Sequence, residues 1–322
     1  MTLRCINAFL VLLLTLLTLP ASAEPWPTHA VRIVVPFAAG GPADTLGRML
    51  ADKLAAQWAQ PVVIENRGGA GGNLGAEFAA RAAPDGYTLL VNPSNHVINA
   101  SLYAKPPYDP LADFTPLTEM ASYMLVLVVH PSVPAHSLSE FVSYARAQPQ
   151  GLTIANASTG SPTHLTAALF AQAAGLNFVH VSYRGAAPTN TDLIGGQVPA
   201  MFDNPINALP HVKAGALRAL AVTGAARLAL IPDVPTVAEQ GYLGFESGTW
   251  YGLFAPARVP REISDKISRD AIAAMREPDV QQKLNSQGFD VIASDADTFA
   301  AHLRTELVKW AAVVKAAGLK LE

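Results

Sequence analysis

Val31-Arg32-Ile33-Val34-Val35-Pro36-Phe37-Ala38-Ala39-Gly40-Gly41-Pro42-Ala43-Asp44 is the stretch on which the fold turns. Four of its first five residues are apolar and β-branched, the composition of a strand. Proline and glycine then punctuate the chain as a turn. From residue 43 to 58, Leu46, Met49, Leu50 and Leu54 recur at helical spacing, so that segment reads as a helix. A strand, a glycine-rich turn and a helix in that order form the unit of α/β architecture. Glycines 40 and 41 let the backbone approach a ligand closely. The helix start offers unpaired N–H groups and a positive dipole end, a ready anion site. The alternative is a tight turn with no ligand.

The same alternation continues outward. Strands are expected at 62–64, 87–91, 125–129, 152–155, 178–183, 198–202, 217–222 and 250–255. Helices are expected from Asn73, as cap, to residue 82, and at 139–148 with Ser137 as cap. Further helices are expected at 162–174, up to 194, in a short piece after the rigid loop 231–236, and at 260–275, 278–287 and 296–317. The pattern predicts largely parallel sheets in two α/β lobes sharing connecting segments, with the C-terminal helices packing back on the first lobe. The expected boundaries are a leader over 1–23, lobe one from 24–123 and 248–322, and lobe two from 124–247.

The leader reading rests on Arg4, an apolar run over 8–19, and Ala21-Ser22-Ala23 as an A-x-A cleavage site. The run is shorter than the ~20 residues that span a bilayer. Cleavage after Ala23 would make Glu24 the first mature residue and the protein periplasmic. The single cysteine, Cys5, lies inside the leader and precedes the apolar run, so no disulfide or lipid anchor is expected. With 322 residues the chain can bury a core without such staples. Its net charge of −3 becomes −4 once Arg4 is removed, which argues against a nucleic-acid partner.

Gly68-Gly69-Ala70-Gly71-Gly72 also joins strand to helix, but a dinucleotide fingerprint from Gly69 would need glycine where Leu74 stands. That loop reads as structural, fixed by Glu65-Asn66-Arg67. Gly160-Ser161-Pro162-Thr163-His164 repeats the anion-loop logic, with Ser161 either capping the helix or facing a carboxylate. Asp203 follows an apolar strand, at the carboxyl edge where α/β sheets bind ligands. It either caps its loop or accepts from a water, an amine or an N–H. There is no G-x-S-x-G elbow and no H-E-x-x-H, and the eight histidines are scattered. Binding is therefore favoured over catalysis, with no metal and no cofactor.

These residues resemble the substrate-binding proteins of the tripartite tricarboxylate transporter family, the Bordetella-uptake-gene (Bug) type. The likeness is carried by Ile33-Val34-Val35-Pro36-Phe37 with Gly40-Gly41 and Asp44, by Val63-Ile64-Glu65-Asn66-Arg67, and by Pro84-Asp85-Gly86-Tyr87-Thr88. It continues through Gly160-Ser161 with His164-Leu165, His180-Val181-Ser182-Tyr183-Arg184-Gly185, Pro232-Asp233-Val234-Pro235-Thr236 and Trp250-Tyr251-Gly252-Leu253. The resemblance implies a two-lobed periplasmic binding protein, type II-like, closing on its ligand by hinge motion. It implies a monomer that binds a di- or tricarboxylate, an acidic amino acid or an aromatic carboxylate, and that delivers it to a permease of one small and one large subunit. By position, Phe37, Ala39, Gly40, Gly41 and Asp44 would hold the ligand from lobe one, helped by Ser94 and Asn95. Ser158, Thr159, Gly160, Ser161 and His164 would hold it from lobe two, with Asp203 nearby. Arg184 stands where the family commonly has lysine, and would grip a second carboxylate or lie on the surface. The competing readings are a sensory receptor for a membrane kinase and a secreted enzyme on the same fold.

Overall fold

Val31, Ile33, Val34 and Val35 are fully buried, and each such side chain contributes roughly 1.5–3 kcal/mol of apolar burial. They form β1 (Val31–Val35), an inner strand of the first sheet in a computed structural model that describes residues 26–183 and 185–321. The leader and its cleavage site, and Arg184, lie outside the described residues. The first sheet also holds β2 (Val62–Asn66), β3 (Thr88–Pro93), β4 (Phe114–Met124), β10 (Gly248–Pro256) and β11 (Asp290–Val291), in the order β11-β4-β10-β3-β1-β2. The second holds β5 (Val126–Val129), β6 (Leu152–Asn156), β7 (Phe178–Ser182), β8 (Ala200–Asp203) and β9 (Arg218–Val222), in the order β7-β6-β8-β5-β9.

The expectation of largely parallel sheets needs correcting. Parallel pairing is confined to β2-β1-β3 and β7-β6-β8; β10, β4 and β11 run antiparallel, as does β5 against β8 and β9. The cause is that the chain passes between the sheets directly, from β4 to β5 and from β9 to β10, and so enters each new sheet in the reverse sense.

The helices after the parallel strands are α1 (Pro42–Trp58), α2 (Asn73–Ala80) and α3 (Asn95–Leu102) in the first half. Next come α4 (Leu138–Arg146), α5 (Pro162–Ala174), α6 (Ala186–Ile194) and α7 (Pro205–Lys213). The C-terminal set is α8 (Arg261–Met275), α9 (Pro278–Ser286) and α10 (Ala296–Ala316). Two of the C-terminal helices do return to the first sheet: α8 packs on α1 and β4, and α10 packs on α3 and β4. One apolar core runs from Ile33 and Leu54 through Tyr123 and Tyr251 to Leu127, Phe141 and Phe202, linking both sheets.

Two local expectations fail. Gly72, not Asn73, caps α2, because the Asn73 side chain instead accepts a 2.8 Å hydrogen bond from Asn99. No helix follows the 231–236 loop: Thr236 forms a parallel bridge with Val222, and the chain turns there.

Candidate ligand site at two switch points

In each sheet the chain leaves one parallel strand, pairs outward, then returns to the other side. The reversal lies between β1 and β3 in the first sheet and between β6 and β8 in the second. Ligands of open α/β sheets bind outside the carboxyl ends of such strands. Those ends carry residues 36–41 and Ser94 in one sheet, Asn156 and Asp203 in the other. Helices α1, α2 and α3 start at the first edge, and α5, α6 and α7 at the second.

At the first edge Ala38, Ala39 and Gly40 are exposed and Phe37 and Gly41 half-buried. Gly40 adopts φ +85°, a left-handed conformation that glycine takes without penalty. Its N–H donates to Asp44 Oδ2 at 2.9 Å. Asp44 is buried, and also accepts from Arg48 Nε at 2.9 Å and from Asn66 Nδ2 at 2.9 Å. Asn66 also donates to the Phe37 carbonyl at 3.1 Å. Burial pushes the Asp44 carboxyl up, but Arg48, the Gly40 N–H and Asn66 outweigh it and hold it down at about 2. Asp44 therefore ties the loop to α1 and β2, with its charge already matched by Arg48.

The Gly68–Gly75 segment is a packing surface beneath this loop. A Cβ on Gly75 would lie 2.7 Å from both the Arg67 carbonyl oxygen and Pro36 Cβ, and one on Gly72 would lie 3.1 Å from the Phe37 ring. Ser94 is fully buried; its N–H donates to the Trp250 carbonyl at 3.0 Å, and its Oγ has no partner within the protein. Asn95, half-buried, opens α3. Behind them Asn92 Nδ2 lies 3.2 Å from His96 Nδ1, and His96 Nε2 lies 2.9 Å from the Pro110 carbonyl. Burial lowers His96 to about 4, so the ring is neutral and donates from Nε2 to Pro110.

At the second edge Ser158 and Thr159 are exposed, while Gly160 and His164 are buried. Ser161 caps α5: its Oγ accepts from the His164 N–H at 3.4 Å and donates to the Ser158 carbonyl at 2.6 Å. Gly160, at φ +73°, donates its N–H to His164 Nδ1 at 3.0 Å. Burial, then the neighbouring His180, lowers His164 to about 4 and keeps Nδ1 an acceptor. Thr159 Oγ1 donates to Ser182 Oγ at 3.1 Å. Gly160 also touches the first half of the chain, since a Cβ there would lie 2.3 Å from Leu102 Cδ2 at the end of α3.

Asp203 divides its two oxygens. Oδ1 accepts from the Asn204 N–H at 2.8 Å, and Oδ2 has no partner at hydrogen-bond distance. Burial raises the carboxyl to about 6, with the Asn204 N–H and the side chains of Asn207 and Asn190 pulling it back. Tyr123 of β4 faces this corner; burial raises its phenol, and Tyr251, Thr249 and Asn204 lower it. Asn156 was not among the expected site residues, yet both its amide atoms are buried and unpartnered. It ends an apolar strand just as Asp203 does, and that signal was available from sequence.

Predicted residues thus gather at two edges, 37–44 with 94–95 and 158–164 with 203. Among the described residues, no group of three His, Cys, Asp or Glu is placed to hold a metal, and no helix is long and apolar enough to cross a membrane. Two cavities are present, one of about 630 Å³ beside Tyr108 and Leu307 and one of about 500 Å³ beside Glu119, Tyr123, Trp250 and His302. Neither is lined by a predicted residue.

Comparison with known proteins places the chain. Residues 46–319 match the family model described as tripartite tricarboxylate transporter family receptor. Protein BugT of Bordetella pertussis is 34% identical over 305 residues, covering 94% of each chain. A solved R. palustris protein with adipate is 35% identical, with TM-score 0.82 over 92% of this chain and 99% of its own. MatC from Rhodopseudomonas palustris, with bound malate, is also 35% identical, with TM-score 0.78 over 90% of this chain and 100% of its own. The chain belongs to the tripartite tricarboxylate transporter receptor family and is a solute-binding protein of the Bug type.

Proposed function

We propose that the protein captures a small organic carboxylate in the periplasm and delivers it to a membrane permease of one small and one large subunit. The two sheets would form the cores of two lobes, residues 24–123 with 248–322 and residues 124–247, and the ligand would lie between them. One observation carries this reading. Helix starts and small polar side chains line both strand edges, and among the described residues the cation in contact with the first, Arg48, is already paired with Asp44. Such an edge recognises an anion by fixed N–H and O–H dipoles, which need no buried charge of their own. The adipate and malate held by the two relatives are small carboxylates.

Ala38, Ala39, Gly40 and Gly41 would supply backbone donors from the first edge, with Ser94 and Asn95 beside them. Ser158, Thr159 and Gly160 would close from the second, with Ser161 and His164 holding that loop in shape. As befits a transporter family receptor, the ligand would leave unchanged.

The test is a thermal-shift series on the mature protein with malate, succinate, adipate, acidic amino acids, benzoate and sugars. A ligand at a hundred times its Kd stabilises the native state by about 2.7 kcal/mol, a rise of several degrees in Tm. Carboxylates are expected to give that rise. A response confined to sugars would overturn the reading.

A further inference from the structure

We propose that Met124 is a site of reversible oxidation, and that its sulfoxide loosens the crossing between the two sheets and weakens ligand capture. The second half of this statement rests on the receptor reading above.

The crossing is built from three pieces of chain. Leu125 joins β4 to β5, Thr223 follows β9, and Ser247 precedes β10. Thr223 is fully buried and ties all three. Its N–H donates to the Leu125 carbonyl at 2.9 Å, and its carbonyl accepts from the Ser247 N–H at 2.9 Å. Its Oγ1 accepts from the Leu125 N–H at 2.8 Å and donates to the Ser247 carbonyl at 2.6 Å. A movement of one sheet against the other bends the chain beside this knot. Met124 ends β4 there, and its thioether lies on Gly224 of the other passage. A Cβ on Gly224 would come 2.6 Å from Met124 Cε and 2.9 Å from Sδ, so the contact needs a bare Cα.

Exposure singles out the same residue. Of the described methionines, Met49, Met120, Met201 and Met275 are buried, and Met124 alone is half-buried. Met124 also lines the cavity of about 500 Å³, whose lining residues Ala225, Glu246, Asp290 and Ile292 are exposed, so a small oxidant reaches it. The described residues contain no cysteine to compete for that oxidant.

With hydrogen peroxide as oxidant, the sulfur lone pair attacks one peroxide oxygen and the O–O bond breaks. The departing hydroxide takes the proton of the transferred oxygen and leaves as water. Sulfur loses two electrons and peroxide gains them. The product is polar and bulkier, and a sulfoxide reductase returns it to the thioether. Its oxygen does not fit against buried Gly224, so the side chain is drawn off that contact and toward the cavity. The arrangement that loses is one in which the two edges meet, with Gly160 seated on Leu102. A ligand held between those edges binds more weakly by the factor through which their meeting is disfavoured.

The test treats the mature protein with graded hydrogen peroxide, maps the oxygen by peptide mass spectrometry, and titrates malate and adipate by calorimetry. Met124 is expected to gain one oxygen at peroxide levels that leave Met49, Met120, Met201 and Met275 unchanged. Binding is expected to weaken about threefold to tenfold, the scale of one disturbed side-chain contact, and to recover after treatment with methionine sulfoxide reductase. Met124→Leu keeps the volume and is expected to bind as the unmodified protein does, with or without peroxide. If that variant does not fold, Met124→Gln takes its place and is expected to bind weakly before and after peroxide alike. A buried methionine oxidising as fast as Met124 would overturn the proposal. So would oxidised protein binding as tightly as before, or Met124→Leu losing affinity to peroxide equally. If neither malate nor adipate binds the untreated protein, the receptor reading beneath has failed, and the peptide map still judges the oxidation site.

Discussion

Two aspartates at equivalent strand edges serve opposite ends. Asp44 is a carboxylate stabilised by its surroundings, and Asp203 is one that its surroundings disfavour. Their pH signatures have opposite sign. Asp44 is lowered from 3.8 to about 2, so its stabilisation is complete above pH 3.8 and is lost as pH falls through 2. With Arg48 half-exposed, that contribution is roughly 1–2 kcal/mol. Asp203 is raised from 3.8 to about 6, so its native preference for the proton is fully felt below 3.8 and lost as pH rises through 6. Urea melts from pH 2 to 7 should show Asp44→Asn flattening the acid side and Asp203→Asn raising stability above pH 6. Neither assignment was legible in the sequence. Both residues read as acids near a loop, and only the atoms around each oxygen distinguish a tie from an open acceptor.

Elements with strong local chemistry were legible, and those made by tertiary contact were not. The strand at 31–35 and the helix at 162–174 match the expectation residue for residue, because β-branched runs and Pro162 after Ser161 act locally. By contrast β4 was missed. Pro116, Glu119 and several threonines and serines interrupt its apolar pattern, and its pairing with β10 decides its conformation. The sequence of α3, Asn-His-Val-Ile-Asn-Ala-Ser-Leu, is made mostly of weak helix formers, Ala100 and Leu102 apart. It is held by Asn99 donating to Gly71 and Asn73 and by Tyr108 donating to the His96 carbonyl. Gly75 shows how far packing constrains such pieces. An alanine there would press its methyl group within 2.8 Å of the backbone of Pro36 and onto the Arg67 carbonyl, neither of which can rotate away. Gly75→Ala should cost roughly 1–3 kcal/mol in urea denaturation. It should also weaken carboxylate binding, by moving residues 37–41, even though Gly75 itself touches no ligand.

At the scale of the whole molecule, the shared segments between the sheets were foreseen, but their strand directions were not. Direct passages such as Met124 to Val126 reverse the chain, a consequence of topology that no local pattern records. The leader expectation is checked at this scale too: mass spectrometry of exported protein should find Glu24 at the N-terminus, and retention of Met1 would sink it. The second passage fixes an order of assembly. Strand β10 sits between β3 and β4, yet it is synthesised only after the whole second sheet. Until residues 248–256 emerge, β3 and β4 present two bare edges that have no business meeting each other. The second sheet can complete itself from one continuous stretch, while the first must wait for almost the last quarter of the chain. A polypeptide threaded through a narrow pore benefits from such a delay, since half of its final structure cannot lock before more than three-quarters of it has passed.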